Sequence, residues 1–361
     1  MTQHKAIDLF CGAGGLSLGL GRAGFAVIAG IDHDGPSMRT YANNFGHAAL
    51  QRDLSKLTVD ELLQTLAIAP GEVALVAGGP PCQGFSVQRR GDDSDARNDL
   101  ILHFLRIVRG LRPKFFLLEN VPGLRSRRGA TMLRDFLARA GTAGYSIMMN
   151  TLNAADFGVP QIRRRVFIVG ERDGLPSYEF PVPTSESASW RTVRDALADL
   201  PLPPLDFSAH PSLANHQVGR MSELNVRRIA HVPEGGGWEH LPAELQLDCH
   251  RPGAAKIGHR YVYGRLSWDK PAGTITARFD SFTRGKFAHP SENRSITLRE
   301  GARLQTFPDD FVFLGTKEEV ASQIGNAVPP RLAETIGSSI IRTLDGLVPT
   351  QKRQLALPIA I

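Results

Sequence analysis

A cysteine on a stiffened loop, a glutamate closing an apolar strand and two arginines two positions apart are the residues of this chain that could do chemistry together. Cys82 lies in Gly78-Gly79-Pro80-Pro81-Cys82-Gln83-Gly84-Phe85-Ser86, directly after the apolar run Val73–Ala77. Most free cysteines are small core hydrophobes. A thiol presented beyond a strand, among turn-formers, is a candidate nucleophile, with a buried structural cysteine as the competing reading. The two prolines fix φ and withhold backbone donors, so the loop is held by constraint more than by ladder bonds. Glu119 follows the strand Phe115-Phe116-Leu117-Leu118. Partial desolvation there favours the protonated carboxyl and suits a proton donor, whereas the structural alternative is a capping or loop-stapling glutamate. Gln161-Ile162-Arg163-Arg164-Arg165 leads into Val166–Val169. Strand alternation sends Arg163 and Arg165 to one face, where the pair could grip a phosphate and a base carbonyl. A solvated strand entry is the competing reading.

A second cluster precedes these. Asp8-Leu9-Phe10-Cys11-Gly12-Ala13-Gly14-Gly15-Leu16-Ser17 is a strand running into a glycine turn and a helix. Gly12 and Gly14 let backbone approach a ligand, and the helix start offers N–H groups to an anion. Ser17 stands where the third glycine of a GxGxxG fingerprint would be, which weakens a dinucleotide reading. Asp32, ending the second strand, is placed to accept hydrogen bonds from a ribose. S-adenosylmethionine suits such a site at least as well as a nicotinamide dinucleotide. Asp53 could take an adenine amino group or be an ordinary turn acid.

The elements that must position these residues are legible as an alternation. Strands are expected at Ala6–Leu9, Ala26–Ile31, Val73–Ala77, Phe115–Leu118, Tyr145–Leu152 and Arg165–Val169. Helices are expected at Gly15–Ala23, Gly35–Asn44, Asp60–Leu66, Asp99–Arg109 and Thr131–Ala140. That order implies an α/β fold with a doubly wound, Rossmann-like parallel sheet. After Gly170 prolines and glycines break the pattern, leaving short strand candidates such as Gly273–Ala277 and a smaller irregular domain. Pro329-Pro330 followed by Leu332, Ile336, Ile340 and Leu344 predicts a packed amphipathic helix. The expected domains are 1–178, 179–316 and a returning segment 317–348, with a frayed tail at 349–361.

The 361 residues suit two domains. Three cysteines, Cys11, Cys82 and Cys249, are too few and too dispersed for a disulfide framework or a zinc site. With no apolar leader or spanning run, they point to a reducing cytoplasm. Forty-two Lys and Arg against 36 Asp and Glu give +6, compatible with a polyanionic partner. Arg89-Arg90 and Arg125–Arg128 lie in or beside loops.

Taken in order, these segments closely resemble the cytosine-5 DNA methyltransferase family. DLFCGAGGLSLG, starting at Asp8, matches its cofactor motif and GGPPCQGFS its nucleophile loop. ENV at 119–121 matches its glutamate motif and QIRRR its arginine motif. RLQTFPDDF at 303–311 and QIGNAVPP at 323–330 match the two late motifs. The resemblance implies attack of Cys82 on cytosine C6, with Glu119 at N3 and Arg163 and Arg165 holding the base and its flanking phosphate. It implies a methyl donor, S-adenosylmethionine, held by Phe10, Gly12, Gly14, Gly15, Leu16, Asp32, Asp53, Leu54, Pro81, Asn326 and Val328. His33 stands where other members often carry an aromatic ring. Gln83, Ser86, Arg89 and Arg90 are the expected DNA contacts, holding the phosphate or the space that the flipped-out base vacates. The stretch between QIRRR and RLQTFPDDF becomes the target-recognition domain, where Trp238, Arg251, Arg260 and Arg265 are candidate DNA contacts, with core or solvated roles equally open to each. A monomer acting on duplex DNA without a metal is expected, in a bacterial cytoplasm near the nucleoid, with or without a cognate restriction endonuclease. Rival readings are an RNA cytosine methyltransferase and a catalytically silent DNA-binding regulator, the latter opposed by intact Cys82, Glu119 and both arginines. A nicotinamide oxidoreductase lacks its third glycine, and a thiol hydrolase lacks a histidine beside the cysteine.

Overall fold

The computed structural model describes residues 3–81, 100–127, 129–172, 174, 178–250 and 261–347. Cys82, Gln83, Ser86, Arg89, Arg90, Arg251, Arg260 and the tail from 348 lie outside the described residues. The chain divides into two compact units. One comprises Met1–Asn153, Arg164–Pro183 and Val328–Ile361, the other Ala154–Arg163 and Thr184–Ala327. This division assigns residues 154–163 and 317–327 to the smaller unit and moves the boundary from 178 to 183.

The first unit is built on β1 (Lys5–Leu9), α1 (Gly15–Ala23), β2 (Ala26–Asp32), α2 (Gly35–Asn44), β3 (Ala48–Gln51), α3 (Val59–Leu66) and β4 (Leu75–Gly78). It continues with α4 (Leu100–Leu111), β5 (Phe115–Asn120), α5 (Ala130–Thr142), β6 (Tyr145–Asn153) and β7 (Arg164–Arg172). The sheet order is β3-β2-β1-β4-β5-β7-β6. β1 pairs in parallel with both β2 and β4, so the winding reverses between β1 and β4. A crevice at the carboxyl ends of these strands is the ligand position of an open α/β sheet. One strand departs from the expected parallel sheet: β7 runs antiparallel to both its neighbours. The connection from β6 to β7 carries only a single 3₁₀ turn, Ala154–Phe157, too little for the crossover that a parallel pairing needs.

Burial explains the helices. In α4 the buried positions are Ile101, Phe104, Leu105, Ile107, Val108 and Leu111, the spacing of one helical face. They join Ile7, Val76, Phe116 and Leu118 in the main core. Helix starts are set by side chains: Asp34 accepts from the Ser37 N–H, and Thr58 accepts from that of Glu61. No helix among the described residues is long and apolar enough to cross a membrane.

The second unit holds α6 (Val193–Leu197), α7 (Glu223–Ala230), β8 (Gly264–Arg265), β9 (Lys286–Ala288), α8 (Leu298–Leu304) and α9 (Lys317–Asn326). The expected strand at Gly273–Ala277 does not form; only Ala272 makes a bridge, to Gln161. Beyond it, a side chain replaces the missing strand, the Gln161 Oε1 accepting from the Ile275 N–H at 2.8 Å. Guanidinium groups do the same for other backbone. Buried Arg265 donates to the carbonyls of Ile229, Val232, His289 and Glu292 and to Asn293 Oδ1, at 2.6 to 2.8 Å. Buried Arg299 donates to the carbonyls of Ala214, Pro308 and Phe311. Backbone outside regular ladders must find such partners when buried. Of the roles open to Arg265, DNA contact, core or solvated, these bonds give it the core one. Trp238 is half-buried and stacks on His250, with ring centroids 4.6 Å apart. The chain then returns to the first unit as α10 (Pro330–Leu344), whose Leu332, Ile336 and Ile340 are fully buried.

Candidate active site

Three strand ends of the first unit meet at the reversal point. β4 and β5 are paired neighbours, Gly78 beside Leu118, so the loop leaving β4 starts next to Glu119. A Cβ built on Gly79 would stand 3.3 Å from Glu119 Oε2. A Cβ on Gly78 would lie 2.5 Å from the Leu9 carbonyl oxygen, so only glycine allows β1 and β4 to approach this closely. Asn120 fixes the root of the cysteine loop: its buried amide donates to the Pro80 carbonyl at 3.1 Å. Its Oδ1 accepts from the Val121 N–H at 2.8 Å. The ENV motif contains Asn120 but gives it no role of its own, because a polar residue after an apolar strand has many ordinary ones. Pro81 is half-buried.

Glu119 is paired with Arg165, Nε to Oε1 at 3.1 Å, both side chains mostly shielded from solvent. Burial pulls the Arg165 guanidinium below its ordinary value, and the charge and hydrogen bond of Glu119 oppose it. The carboxylate therefore has a cationic neighbour that strand burial alone did not suggest. Arg163 does not join it. It belongs to the second unit, is 1% exposed, and donates to the carbonyls of Ile275, Gly325 and Ala327 at 3.0 to 3.1 Å. Although β7 begins only at Arg164, burial alternates through this stretch, with Arg163 buried, Arg164 exposed and Arg165 mostly shielded; the two inward arginines differ in what they bind, backbone carbonyls for Arg163 and Glu119 for Arg165.

The glycine turn lies one strand away. Phe10, Gly12 and Gly14 all have positive φ, of 57°, 53° and 98°. Asp32 organises the turn from β2, its Oδ2 accepting from the Gly12 N–H at 2.9 Å and its Oδ1 from the Asp34 N–H at 3.0 Å. Oδ2 keeps a further lone pair. Gly15 and Leu16 are buried in the first turn of α1, where Gly14 supplies no side-chain cap. This leaves the helix start available to an anion. His33 is exposed with its ring nitrogen 3.2 Å from Asp32 Oδ1. Asp53 is an exposed turn acid, its Oδ1 accepting from the N–H and hydroxyl of Ser55. These bonds hold its carboxyl below the usual range. Leu54 beside it is buried. Asn326 ends α9 in the second unit and donates to Ser322 Oγ at 3.1 Å, while Val328 opens the return to the first unit and is buried. Cys11 is buried with its sulfur 3.7 Å from Met38 Sδ, and burial pushes its thiol up, as packing rather than reactivity requires. An uncapped helix start, open space at Gly12 and a carboxylate at the end of β2 fit the carboxylate and ribose of S-adenosylmethionine.

The profile of the C-5 cytosine-specific DNA methylases matches residues 4–342. The type II methylase M.HgiDII of Herpetosiphon aurantiacus is 34% identical over 360 residues, which cover 97% of this chain and 99% of that protein. The type II methyltransferase M1.HphI of Haemophilus parahaemolyticus is 37% identical over 340 residues, 93% of this chain and 86% of the relative. Among solved structures, an E. coli prophage protein described as a DNA modification methyltransferase superposes with a TM-score of 0.71 at 30% identity, covering 95% of this chain and all of that one. The methyltransferase EhMeth of Entamoeba histolytica shares the fold, with a TM-score of 0.66 at 16% identity and coverage of 95% and 99%. With its motifs in order and its profile matched nearly end to end, the chain belongs to the C-5 cytosine-specific DNA methylase family and is a DNA (cytosine-5) methyltransferase.

Proposed function

We propose that this enzyme methylates one cytosine within a short duplex sequence through a covalent adduct between Cys82 and C6 of the base. The observation that carries the reading is the Glu119–Arg165 pair beside Gly79, at the root of the loop bearing Cys82. Cytosine C5 is a weak nucleophile while the ring is aromatic. Addition of the Cys82 thiolate to C6 breaks that aromaticity, and a proton held by Glu119 at N3 takes up the charge that develops. Arg165 orients Glu119 and supplies the compensating cation. Loss of the C5 proton and expulsion of the thiolate restore the ring. The target base must leave the helical stack, at about a few kcal/mol. Gln83, Ser86, Arg89 and Arg90 are the residues we assign to the vacated space and the flanking phosphate.

Phe10, Gly12, Gly14, Gly15, Leu16, Asp32, His33, Asp53, Leu54, Pro81, Asn326 and Val328 would hold S-adenosylmethionine. When bound, that group supplies an electrophilic methyl on a sulfonium. The helix start at Gly15 meets a carboxylate, and Asp32 meets a ribose. Arg163 enters this account only by fixing backbone. The second unit would read the target sequence. The type II names of the relatives suggest a restriction–modification setting, with an endonuclease that shares the site but need not touch this chain.

A duplex carrying 5-fluorocytosine tests the adduct, because fluorine at C5 cannot leave as a proton does. With donor present, wild type is expected to remain covalently attached in a denaturing gel and Cys82→Ala to run free. Attachment by the alanine variant would overturn the assignment.

A further inference from the structure

Ser17, the residue standing in the place of a third glycine, is fully buried and belongs to a hydrogen-bonded chain. It donates to Asp8 Oδ2 at 2.7 Å and lies 2.8 Å from the Tyr41 hydroxyl, which in turn lies 2.6 Å from His47 Nε2. Asp8 is 0% exposed in the middle of the sheet, registered with Gly30 of β2 and Ala77 of β4. Its other oxygen, Oδ1, has no hydrogen-bond partner among the described residues. The Tyr41 ring packs under the glycine turn. A Cβ on Gly14 would come within 3.0 Å of Tyr41 and 2.3 Å of Phe45, and one on Gly30 within 2.1 Å of the Tyr41 ring. The same ring thus braces the turn and the strand that carries Asp32.

We propose that Asp8, Ser17, Tyr41 and His47 act as one positioning chain that holds the Phe10–Gly15 turn in shape for the methyl donor, with the Asp8 carboxyl as its anchor. The inference rests on the reading of that turn as the donor site. Ser17 has a single hydroxyl hydrogen. When it donates to Asp8, Tyr41 must therefore donate to Ser17 and accept from His47, so every hydrogen in the chain points towards Asp8. A proton on Asp8 Oδ2 lets the chain run the other way, towards His47. Both directions keep each link, but they differ in charge at the centre of the sheet. Burial pushes the Asp8 carboxyl up to about 7; the Ser17 bonds oppose this and the Asp32 charge adds to it. The other titratable groups facing it are Cys11 and Tyr41, each raised chiefly by burial, and beyond them His47, which burial lowers. No cation is among them, so the neutral acid is the form in which the chain carries no buried charge. Its ionisation would loosen the brace under the turn.

Calorimetric titration with S-adenosylhomocysteine from pH 6 to pH 8.5 tests this. Wild type is expected to lose affinity by roughly tenfold across that range as Asp8 ionises. Asp8→Asn, which copies the shape of the neutral acid, is expected to bind like wild type at pH 6 and to stay within about twofold of that value. Ser17→Ala removes the donor that favours the ionised form, so its decline should move to higher pH; Tyr41→Phe should bind several-fold more weakly with kcat at saturating donor unchanged. Parallel profiles for wild type and Asp8→Asn, or an unmoved midpoint in Ser17→Ala, would overturn the inference, and the second comparison stands if Asp8→Asn does not fold. Asp32→Ala separates the two layers. Undiminished binding by that variant would sink the donor-site reading itself, whereas weakened binding together with parallel Asp8 profiles would sink only the positioning chain.

Discussion

Replacing Arg165 removes the guanidinium 3.1 Å from the Glu119 carboxylate, and replacing Arg163 removes one that binds three backbone carbonyls. The two substitutions should therefore separate by readout. Arg165→Met is expected to lower kcat by about 10²-fold or more, the scale of a lost acid–base partner, with little change in melting temperature. Arg163→Met should instead destabilise the fold by roughly 1–3 kcal/mol, because buried carbonyls lose their donor. Melting curves and single-turnover rates on both variants check the assignment, and the reverse pattern would refute it. Glu119→Gln should slow turnover far more than it weakens DNA binding; an affinity defect alone would count against its proton role. At this scale the sequence was informative wherever a motif fixed a residue to a strand end, as with Glu119 and Asp32. Periodicity gave the inward side of Arg163 but not its partners, three backbone carbonyls that no alternation records. Asn120, holding the Pro80 carbonyl, was invisible because nothing in its neighbours' types announces a bond across 40 positions.

Helix α1 carries the turn, so its seat on α10 matters to the site. A Cβ on Gly19 would stand 2.3 Å from the Pro330 carbonyl oxygen and 2.4 Å from the Ala333 Cβ, whereas one on exposed Gly21 meets nothing within 4 Å. Gly19→Ala should destabilise by about 1–3 kcal/mol through overpacking against backbone that cannot yield. Gly21→Ala should be neutral or stabilising by up to about 1 kcal/mol, from helix propensity alone. Urea denaturation of the pair measures the difference, and equal midpoints would contradict the packing described. Elements with a strong period were legible: α1 and α2 run over the residues their pattern predicted. β3 was missed because Ala48–Gln51 is a short, half-exposed edge strand without an apolar run. In the second unit guanidinium and amide side chains take the place of ladders, and no periodicity records that substitution.

Across the whole molecule, charge and pH act together. Asp8 has its carboxyl raised to about 7, so its contribution to stability is fully present below the ordinary carboxyl range near 4. That contribution is lost as pH rises from there to about 7 and changes little above it. Wild type should therefore lose a few kcal/mol relative to Asp8→Asn between pH 4.5 and pH 8. Denaturant midpoints of the two proteins at those pH values give the sign directly, and a gap that does not change with pH would remove Asp8 as a buried acid. The net charge of +6 is a property of the same scale and suits a phosphate backbone, while the sequence read is set by contacts to base edges. Bisulfite sequencing of DNA from a host expressing the enzyme supplies that and tests the central claim at the same time. Wild type is expected to protect one cytosine in every copy of a short sequence, and Cys82→Ala none. Equal protection by the two proteins, or protection by neither when both are folded and bind the donor, would contradict covalent methyl transfer through Cys82.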